Sequence, residues 1–277
     1  MDLAAEIERN VSAALAEDIG AGDLTALLTA PSDSARATVI CRRATVLCGH
    51  AWFEACYRTL DPRVAVKWRA EEGTAAAAGA VVCTVHGPTR ALLTGERTAL
   101  NFLQLLSGVA TLTRRYVEAV AGTRAAIVDT RKTVPGLRLA QKYAVKVGGG
   151  LNHRLGLYDG ILIKENHIAA AGGVTAALDA ARRIAPPGIW IQIEVEDLDQ
   201  LREALGAGAR MILLDNMPVE MLRAAVALTA GRAVLEASGG ITLENVRSVA
   251  ETGVDRISIG SLTKDVVAAD LSMRFET

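Results

Sequence analysis

The first part of the chain mixes helical and strand patterns. Apolar residues recur at helical spacing in residues 3–16 and again in 50–60. Residues 36–48 are rich in β-branched side chains, and short apolar runs between 64 and 85 alternate with glycines. This pattern predicts a mixed α/β region that contains an antiparallel sheet.

A long helix is predicted next, over residues 95–120. One stripe along it is polar or small, with residues at spacings of three and four: Arg97, Asn101, Gln104, Gly108 and Thr111. The opposite side is apolar and carries Leu100, Leu103, Leu106 and Val109. Because residues three and four apart share a helix face, we expect the apolar side to pack against the core.

The second half of the chain repeats a different unit. Short apolar runs recur, each ending on a polar or small residue, at 125–130, 160–164, 190–196, 210–215, 233–240 and 256–260. Between them lie helical stretches such as 174–185 and 244–253. Near-continuous apolar strands separated by helices predict a parallel sheet covered on both faces. Six such units, without a GxGxxG after the first strand, favour a (β/α) barrel over a doubly wound sheet.

Charged and hydroxylic residues close these apolar strands. In chain order the ends are Asp129-Thr130-Arg131-Lys132, Lys164, Glu194, Asp215, Glu236 with Ser238, and Ser258 with Gly260. In a barrel, the carboxyl ends of the strands meet at one mouth, where ligands bind. The sequence therefore predicts a site that is basic on one side and acidic, then Gly/Ser-rich, on the other.

The basic side is a local feature, because the whole chain has a formal net charge of −1. Seven cations lie between Asp129 and His167, namely Arg131, Lys132, Arg138, Lys142, Lys146, Arg154 and Lys164, against the acids Asp129, Asp159 and Glu165. Like charges about 4 Å apart cost about 4 kcal/mol at an effective dielectric near 20, so such a cluster calls for anions. Lys142 and Lys146 are one helical turn apart, and we expect them on a solvated face. Arg131, Lys132, Arg154 and Lys164 are the candidates for anion binding.

The other side suits a phosphorylated sugar. Glu194 and Asp215 could accept hydrogen bonds from sugar hydroxyls or hold Mg²⁺, or they could be rim carboxylates that form salt bridges with the basic side. The last two strands are followed by Ser238-Gly239-Gly240 and Ser258-Ile259-Gly260. Small residues there let backbone N–H groups approach a phosphate, although each could also be an ordinary βα turn. Together, the two sides predict a phosphorylated sugar next to a carboxylated partner.

Composition narrows the class of protein. The chain has 277 residues, 51% of them hydrophobic and 22% charged, which is typical of a globular protein with one large or two modest domains. The net charge gives no general attraction to nucleic acid. The N-terminus lacks a basic segment followed by a long apolar run, and no apolar stretch is long enough for a membrane span, so we expect a cytoplasmic protein. Four cysteines without CxxC or zinc spacing are expected to be buried, reduced thiols.

Several longer motifs resemble those of the quinolinate phosphoribosyltransferase family. The main one is DTRKTVPGLRLAQKYAVKVGGGLNHRLGLYDGILIKENHI, residues 129–168. Shorter ones are EDIGAGDLT (17–25), ERTALNFLQLLSG (96–108), ILLDNM (212–217) and LEASGGITLENV (235–246). The resemblance covers nearly the whole chain. It implies an N-terminal α/β open sandwich over 1–108 and an incomplete, seven-stranded parallel α/β barrel over 109–261, with 262–277 packing back onto the first domain.

The same resemblance implies an activity and its partners. Such enzymes transfer phosphoribosyl from phosphoribosyl pyrophosphate to quinolinate and release CO2 and pyrophosphate, with nicotinate mononucleotide as the product. They use Mg²⁺ and work as homodimers or hexamers, without nucleic acid or membrane. Lys132, Lys164, Glu194 and Asp215 are the implied catalytic residues.

Individual roles also follow from the resemblance. Thr130, Arg131, Lys132, His153, Arg154 and Lys164 would surround quinolinate, and Arg97 would reach it from a neighbouring subunit. Glu194 and Asp215 would hold the ribose hydroxyls and Mg²⁺. Ser238 to Gly240 and Ser258 to Gly260 would cradle the 5′-phosphate.

One segment departs from the family pattern, and another has no predicted role. Residues 262–265 read LTKD where the family often has Leu-Thr-His-Ser, and the role of 17–25 is not predicted.

Three different functions also fit parts of the pattern. A related group linked to molybdate utilisation shares the fold but usually lacks the full TRKTxPG and LIKxNH motifs, which are intact here at 130–136 and 162–167. A barrel lyase or isomerase acting on a sugar phosphate would use the same phosphate loops but would not need four cations. A barrel that only binds an anionic metabolite should have lost part of the basic side or the Glu194 and Asp215 pair, and both are present.

Overall fold

The computed structural model describes residues 3–276, which fold into two compact units. Unit 1 combines the chain up to Arg114 with residues 133–149 and the segment from Leu262 onward. Unit 2 contains residues 115–132 and 150–261. These units differ from the predicted domain limits mainly at 133–149, which belongs to unit 1 although it lies within the range predicted for the barrel.

The elements follow one another in the order expected for two mixed α/β units. The helices are α1 (Leu3–Ile19), α2 (His50–Leu60), α3 (Thr89–Ala119), α4 (Arg138–Val147), α5 (Glu165–Ala171), α6 (Val174–Ile184), α7 (Leu198–Gly206), α8 (Val219–Thr229), α9 (Val246–Ala250) and α10 (Ser261–Lys264). The strands are β1 (Ser34–Cys41), β2 (Thr45–Val46), β3 (Ala65–Trp68), β4 (Ala75–Ala76), β5 (Val81–Pro88), β6 (Ala126–Val128), β7 (Ile161–Ile163), β8 (Ile191–Val195), β9 (Met211–Asp215), β10 (Val234–Ser238), β11 (Arg256–Ser258) and β12 (Leu271–Phe275).

Unit 1 is built on a four-stranded antiparallel sheet in the order β12-β1-β5-β3, which confirms the predicted antiparallel sheet. β1 alternates between buried and more exposed side chains, so one face packs on the core. The core includes the fully buried aromatic side chains of Trp52, Phe53 and Tyr57 on α2. All four cysteines are buried and free, as the sequence predicted.

The polar stripe of α3 has two different environments. At its C-terminal end the stripe bonds within unit 1: the Gln104 amide donates to the Leu271 carbonyl at 3.1 Å, and Thr111 Oγ1 accepts from Val46 N–H at 2.9 Å. At its N-terminal end Arg97 and Asn101 are exposed. The opposite, leucine-rich side is buried as predicted. Only the N-terminal end of the stripe is therefore available to a partner.

The expectation that Lys142 lies on a solvated face is wrong. Lys142 is fully buried, whereas Lys146 is exposed. The buried face of α4 is broad, and next to Lys142 the fully buried Gln141 accepts from Val134 N–H and donates to the Thr263 carbonyl. Helical spacing alone did not show how much of the helix circumference is covered.

Unit 2 contains a six-stranded parallel sheet in the order β6-β11-β10-β9-β8-β7. A single parallel bridge joins Val128, on the outer side of β6, to Leu151. The predicted fold class, an incomplete parallel α/β barrel, is confirmed; the expected seventh strand is reduced to this one bridge. Within residues 3–276 no strand pairing links β7 to Leu151, so the barrel is open there. None of the helices in this range is long and apolar enough to cross a membrane.

Polar residues of the apolar strands gather on one side of this sheet. The register places Glu194 of β8, Leu213 of β9, Glu236 of β10 and Arg256 of β11 side by side. Since side chains alternate along a strand, Gln192 lies on the same side as Glu194. The alternate residues, such as Ile193 and Leu235, are buried on the other side. This inner, polar side carries the candidate site.

Candidate active site

The first basic residues follow β6 and lie beside the end of β11. Thr130 Oγ1 accepts from Lys132 N–H at 3.0 Å, which tightens the turn after β6. The Lys132 side chain passes close to Gly260: a Cβ built on Gly260 would lie 3.0 Å from Lys132 Cδ. Because β6 and β11 are paired, the basic segment and the second predicted phosphate loop are neighbours.

The second basic segment, residues 152–154, is held by a buried carboxylate. Asp129 is fully buried; its Oδ1 accepts from His153 N–H at 2.9 Å and its Oδ2 from the Asn152 amide at 2.7 Å. The Arg154 side chain, with a relative exposure of 9%, donates from Nη1 to the Gly160 carbonyl at 3.1 Å. These contacts hold Arg154 in one orientation.

Arg154 lies close to a second guanidinium. Burial lowers its pKa, the neighbouring charge of Arg131 lowers it further, and Asp159 raises it. The carboxylate of Asp159 is itself used within the loop, since it accepts from Leu155 N–H at 2.7 Å and Gly156 N–H at 2.9 Å. A bound anion would offset the repulsion between these two positive charges.

Lys164 and Glu194 bring the basic and acidic sides together. Lys164 Nζ lies 3.3 Å from Glu194 Oε2. Burial raises the pKa of Glu194, Lys164 lowers it, and the charges of Asp215 and Glu165 raise it again. The charge of Asp215 therefore reaches Glu194, and their joint role toward a ribose or a metal stays a prediction.

The acidic side continues into a tightly packed turn after β9. Asn216, in the left-handed region at φ 51°, donates its amide to Asp215 Oδ2 at 2.7 Å and its N–H to the Ser238 carbonyl at 2.9 Å. Gly239 has φ 97°, and a Cβ there would collide with Asn216 Oδ1 and lie 2.9 Å from its backbone N. Sequence reasoning missed Asn216; a signal was the Asp-Asn pair directly after an apolar strand.

The two loops predicted to hold phosphate differ in which of their backbone groups are open to a ligand. Gly240 has φ 58°, and a Cβ built on it would meet nothing within 4 Å, so the backbone beside Gly239 faces open space. In the other loop, the Ser258 hydroxyl donates to the Ala237 carbonyl at 3.4 Å, and Ile259 N–H donates to the Val128 carbonyl at 2.9 Å. Gly260 is therefore the residue through which this second loop can present a backbone N–H.

Inside the sheet, a buried polar chain lies beneath His153. His153 Nε2 lies 2.8 Å from Gln192 Oε1, and Gln192 Nε2 lies 3.2 Å from Glu236 Oε2. Glu236, grouped with the strand-end residues in the sequence, lies two positions before the end of β10 and is fully buried. Gln192 was not singled out, although it interrupts an apolar strand two residues before Glu194.

Two further segments of interest belong to unit 1. Arg97 is exposed on α3, and Lys264 forms an exposed pair with Asp265 at 3.0 Å. No group of three or more His, Cys, Asp or Glu side chains is arranged to hold a metal in the described part of the chain.

Family models match both halves of the sequence. Residues 23–107 match the model described as quinolinate phosphoribosyl transferase, N-terminal domain, and residues 109–274 match the C-terminal domain of the same description.

Individual relatives agree with these matches. The chain is 45% identical, over 93% of its length and 89% of the relative's, to a probable nicotinate-nucleotide pyrophosphorylase (carboxylating) of Bacillus subtilis. It is 48% identical to the Mycobacterium leprae nicotinate-nucleotide pyrophosphorylase (carboxylating), over 75% of this chain and 74% of the other. The structure is similar to that of the Francisella tularensis nicotinate-nucleotide pyrophosphorylase, with a TM-score of 0.95, 41% identity and coverage of 98% and 96% of the two chains.

Proposed function

This chain belongs to the quinolinate phosphoribosyltransferase family, and we propose how its residues carry out the family's reaction. It is a carboxylating nicotinate-nucleotide pyrophosphorylase of NAD biosynthesis. Phosphoribosyl passes from phosphoribosyl pyrophosphate to quinolinate, and nicotinate mononucleotide, CO2 and pyrophosphate leave. The family match favours this reading over a molybdate-linked relative or a sugar-phosphate lyase.

The quinolinate pocket is assigned to the basic residues of unit 2. The observation that supports it most is the largely buried guanidinium of Arg154, which is held on the Gly160 carbonyl. Burial lowers its pKa, the nearby charge of Arg131 lowers it further, and a dicarboxylate would relieve this repulsion. Lys132, Lys164 and Thr130 complete the same side, and Arg154 is already oriented by Gly160. These fixed positive side chains would bind the two carboxylates of quinolinate and thereby orient its ring nitrogen toward the anomeric carbon of the sugar.

The chemistry needs positioning more than a strong base. The lone pair of the ring nitrogen forms a bond to the anomeric carbon as the bond to pyrophosphate breaks, so the ring becomes cationic. As CO2 leaves, the electrons of the breaking bond stay on carbon 2 as a lone pair, which the adjacent cationic nitrogen stabilises, and a proton then adds to carbon 2. In this scheme Lys132 and Lys164 act by charge, and Glu194 with Asp215 holds the ribose hydroxyls.

The phosphoribosyl side is assigned to the glycine loops and the two carboxylates. Gly239, Gly240 and Gly260 let the backbone approach the 5′-phosphate, while Ser238 and Ser258, with Ile259, support these loops from within. Glu194 and Asp215 fit Mg²⁺, which commonly takes one or two carboxylates together with substrate phosphates. Mg²⁺ would offset the negative charge of the pyrophosphate that departs.

A homodimer would bring Arg97 to this site. Arg97 is exposed between two contacts that tie the 17–25 turn to α3: the hydroxyls of Thr98 and Thr94 donate to Asp18 and Asp23. Beyond Asp23 the side chains of Leu24, Leu27 and Leu28 are 82%, 62% and 85% exposed. Burying each leucine would contribute about 1.5–3 kcal/mol, so this surface favours a second copy as its partner. Leu24, the last apolar residue of the 17–25 segment, therefore gives that segment a role in the proposed interface.

Mixing two inactive variants tests the shared site. In a dimer of one Arg97→Ala and one Lys164→Ala subunit, one of the two sites receives both native residues. With random exchange, the mixture should recover about a quarter of the parent activity. Mixtures no more active than either variant alone would contradict a shared site, and sedimentation would show whether a dimer or a hexamer carries it.

A product assay tests the reaction itself. Protein, Mg²⁺, phosphoribosyl pyrophosphate and quinolinate labelled in the 2-carboxylate should yield labelled CO2 and nicotinate mononucleotide in equal amounts. Nicotinate, which lacks the 2-carboxylate, is the matched control and should give little product. Failure to form nicotinate mononucleotide would contradict the assignment.

We also propose a cytoplasmic location. The four buried, unpaired cysteines support it, because free thiols persist in reducing compartments. Cell fractionation with a tagged chain would test this, and recovery outside the cytoplasmic fraction would contradict it.

A further inference from the structure

We propose that Gln192 and Glu236 are positioning residues, which hold His153 in one tautomer and thereby set the main-chain position of Arg154. The proposal rests on the pocket assignment given above and deepens it. The three side chains form one chain on the inner side of the sheet, from β10 through β8 to the segment after Leu151. Their distances are 3.2 Å from Gln192 Nε2 to Glu236 Oε2 and 2.8 Å from Gln192 Oε1 to His153 Nε2.

The direction of every hydrogen bond follows from the carboxylate. Gln192 Nε2 donates to the Glu236 carboxylate, so the amide oxygen of Gln192 faces His153. The oxygen can only accept, so His153 Nε2 must carry a hydrogen. In the neutral ring Nδ1 is then an acceptor, and Arg154 N–H donates to it at 2.9 Å. The chain therefore selects the Nε2–H tautomer.

Burial indicates that this arrangement does more than stabilise the fold. Glu236 is fully buried and Gln192 is 1% exposed. Within residues 3–276, Glu236 Oε1 has no hydrogen-bond partner, and His153 Nε2 lies 3.8 Å from it. An apolar residue of similar volume would often stabilise a core better than a buried glutamate does. The role that fits Glu236 better is to orient Gln192, and through it His153.

The ring of His153 connects this chain to the basic pocket. Besides its two hydrogen-bonded nitrogens, it makes an edge contact with Trp190, at 5.0 Å between ring centroids and 85° between planes. The residue that donates to Nδ1, Arg154, is the one whose guanidinium is anchored at Gly160. Loss of the tautomer would break the hydrogen bond to the Arg154 backbone and loosen the anchored arginine.

Two variants test the proposal. Glu236→Gln keeps shape but can donate as well as accept, so the Gln192 amide can turn over. Gln192→Met keeps length and removes both hydrogen bonds, which provides a second route should the first variant fold poorly. In each, ¹⁵N NMR of the His153 ring, assigned with a His153→Gln sample, should show loss of the pure Nε2–H tautomer. The KM for quinolinate should rise about tenfold, and that for phosphoribosyl pyrophosphate should change by less than about twofold.

Thr229 provides the matched control. Its hydroxyl is also buried without a hydrogen-bond partner in the described residues, but it lies on the outer helix α8. Thr229→Val should leave both KM values and the histidine tautomer unchanged. A pure Nε2–H tautomer together with the parent quinolinate KM in both test variants would overturn the proposal. So would equal rises in both KM values with a lowered Tm, since that indicates a general packing defect. A parent-like quinolinate KM in Arg154→Ala would instead overturn the pocket assignment.

Discussion

The two sides of the candidate site are built by different means. On the basic side, long side chains are the proposed ligand contacts; Asp129 holds the backbone of His153, and the Gly160 carbonyl holds the Arg154 guanidinium. On the glycine side, the backbone itself is the proposed ligand contact, because Gly239 and Gly240 have positive φ and no side chain. Substitutions on the first side therefore change charge, whereas those on the second change shape.

This difference fits the two substrates. A rigid aromatic dicarboxylate can be gripped by guanidinium forks from several directions. A phosphate accepts many short hydrogen bonds, and backbone N–H groups supply them without desolvating further charges. If each side binds one substrate, a substitution on the basic side should mainly affect the kinetics with quinolinate. A substitution on the glycine side should mainly affect the kinetics with phosphoribosyl pyrophosphate.

The largest expected effect is that of Gly239→Ala. Its Cβ would collide with Asn216 Oδ1 and lie 2.9 Å from the Asn216 backbone, in a conformation that L residues rarely adopt. Since the turn must move, kcat/KM for phosphoribosyl pyrophosphate should fall by more than about 100-fold. Gly240→Ala, with open space around its Cβ, is the control and should lose far less. Equal losses in steady-state kinetics would show that packing on Asn216 is not the cause.

Removing a guanidinium should come next. We expect Arg131→Ala or Arg154→Ala to raise the KM for quinolinate about 100-fold, since a carboxylate loses a charged hydrogen-bond partner. The KM for phosphoribosyl pyrophosphate should change by less than about threefold. A parallel rise in both values would remove the distinction between the two sides.

Gly260→Ala should have a smaller effect, because it lies where the two sides meet. The nearest atom to its Cβ is Lys132 Cδ at 3.0 Å, part of a flexible side chain that can move aside. We expect kcat to fall about tenfold or less as the Lys132 ammonium is displaced. A loss as large as that of Gly239→Ala would mean that the backbone, and not Lys132, is disturbed.

The smallest expected effect concerns stability. The raised pKa of Glu194, caused mainly by burial, means that the folded state binds this proton more tightly than the unfolded state. The stabilisation is present below the unfolded pKa and is lost as pH rises through the folded pKa. Glu194→Gln should therefore raise the free energy of unfolding at about pH 8, by less than about 1 kcal/mol after solvent screening, and not at about pH 4. Thermal unfolding at both pH values would measure this, and an equal gain at both would contradict it.

The sequence predicted the positions of the helices and strands better than it predicted how they pack against one another. Helix α2 begins and ends where the apolar spacing indicated, and all six parallel strands lie within the predicted runs. Helix α3, however, begins at Thr89 and continues through Gly95, which had marked its predicted start. A Cβ on Gly95 would lie 2.8 Å from the Tyr57 ring, so this glycine reflects close packing and not a helix end.

In the candidate site, too, the sequence predicted positions along the chain but not the contacts between distant segments. Charged residues at strand ends were visible in the sequence because parallel strands share one edge. The supporting residues were not, because Gln192 touches His153 from a different strand and Asn216 meets Gly239 only through a turn. Contacts between distant segments depend on register and backbone conformation, which periodicity does not specify. The buried position of Lys142 was missed for the same reason.

The pairing of β1 with β12 affects how the chain can fold during synthesis. Val39 of β1 is paired with Met273 of β12. Strand β12 is synthesised after every strand of the parallel sheet, so β1 cannot form this pairing until late in synthesis. Until then one edge of β1 is open, and an unpaired edge can recruit strands from other chains. A chaperone that covers β1 until β12 has been synthesised would therefore protect the nascent polypeptide from misassembly.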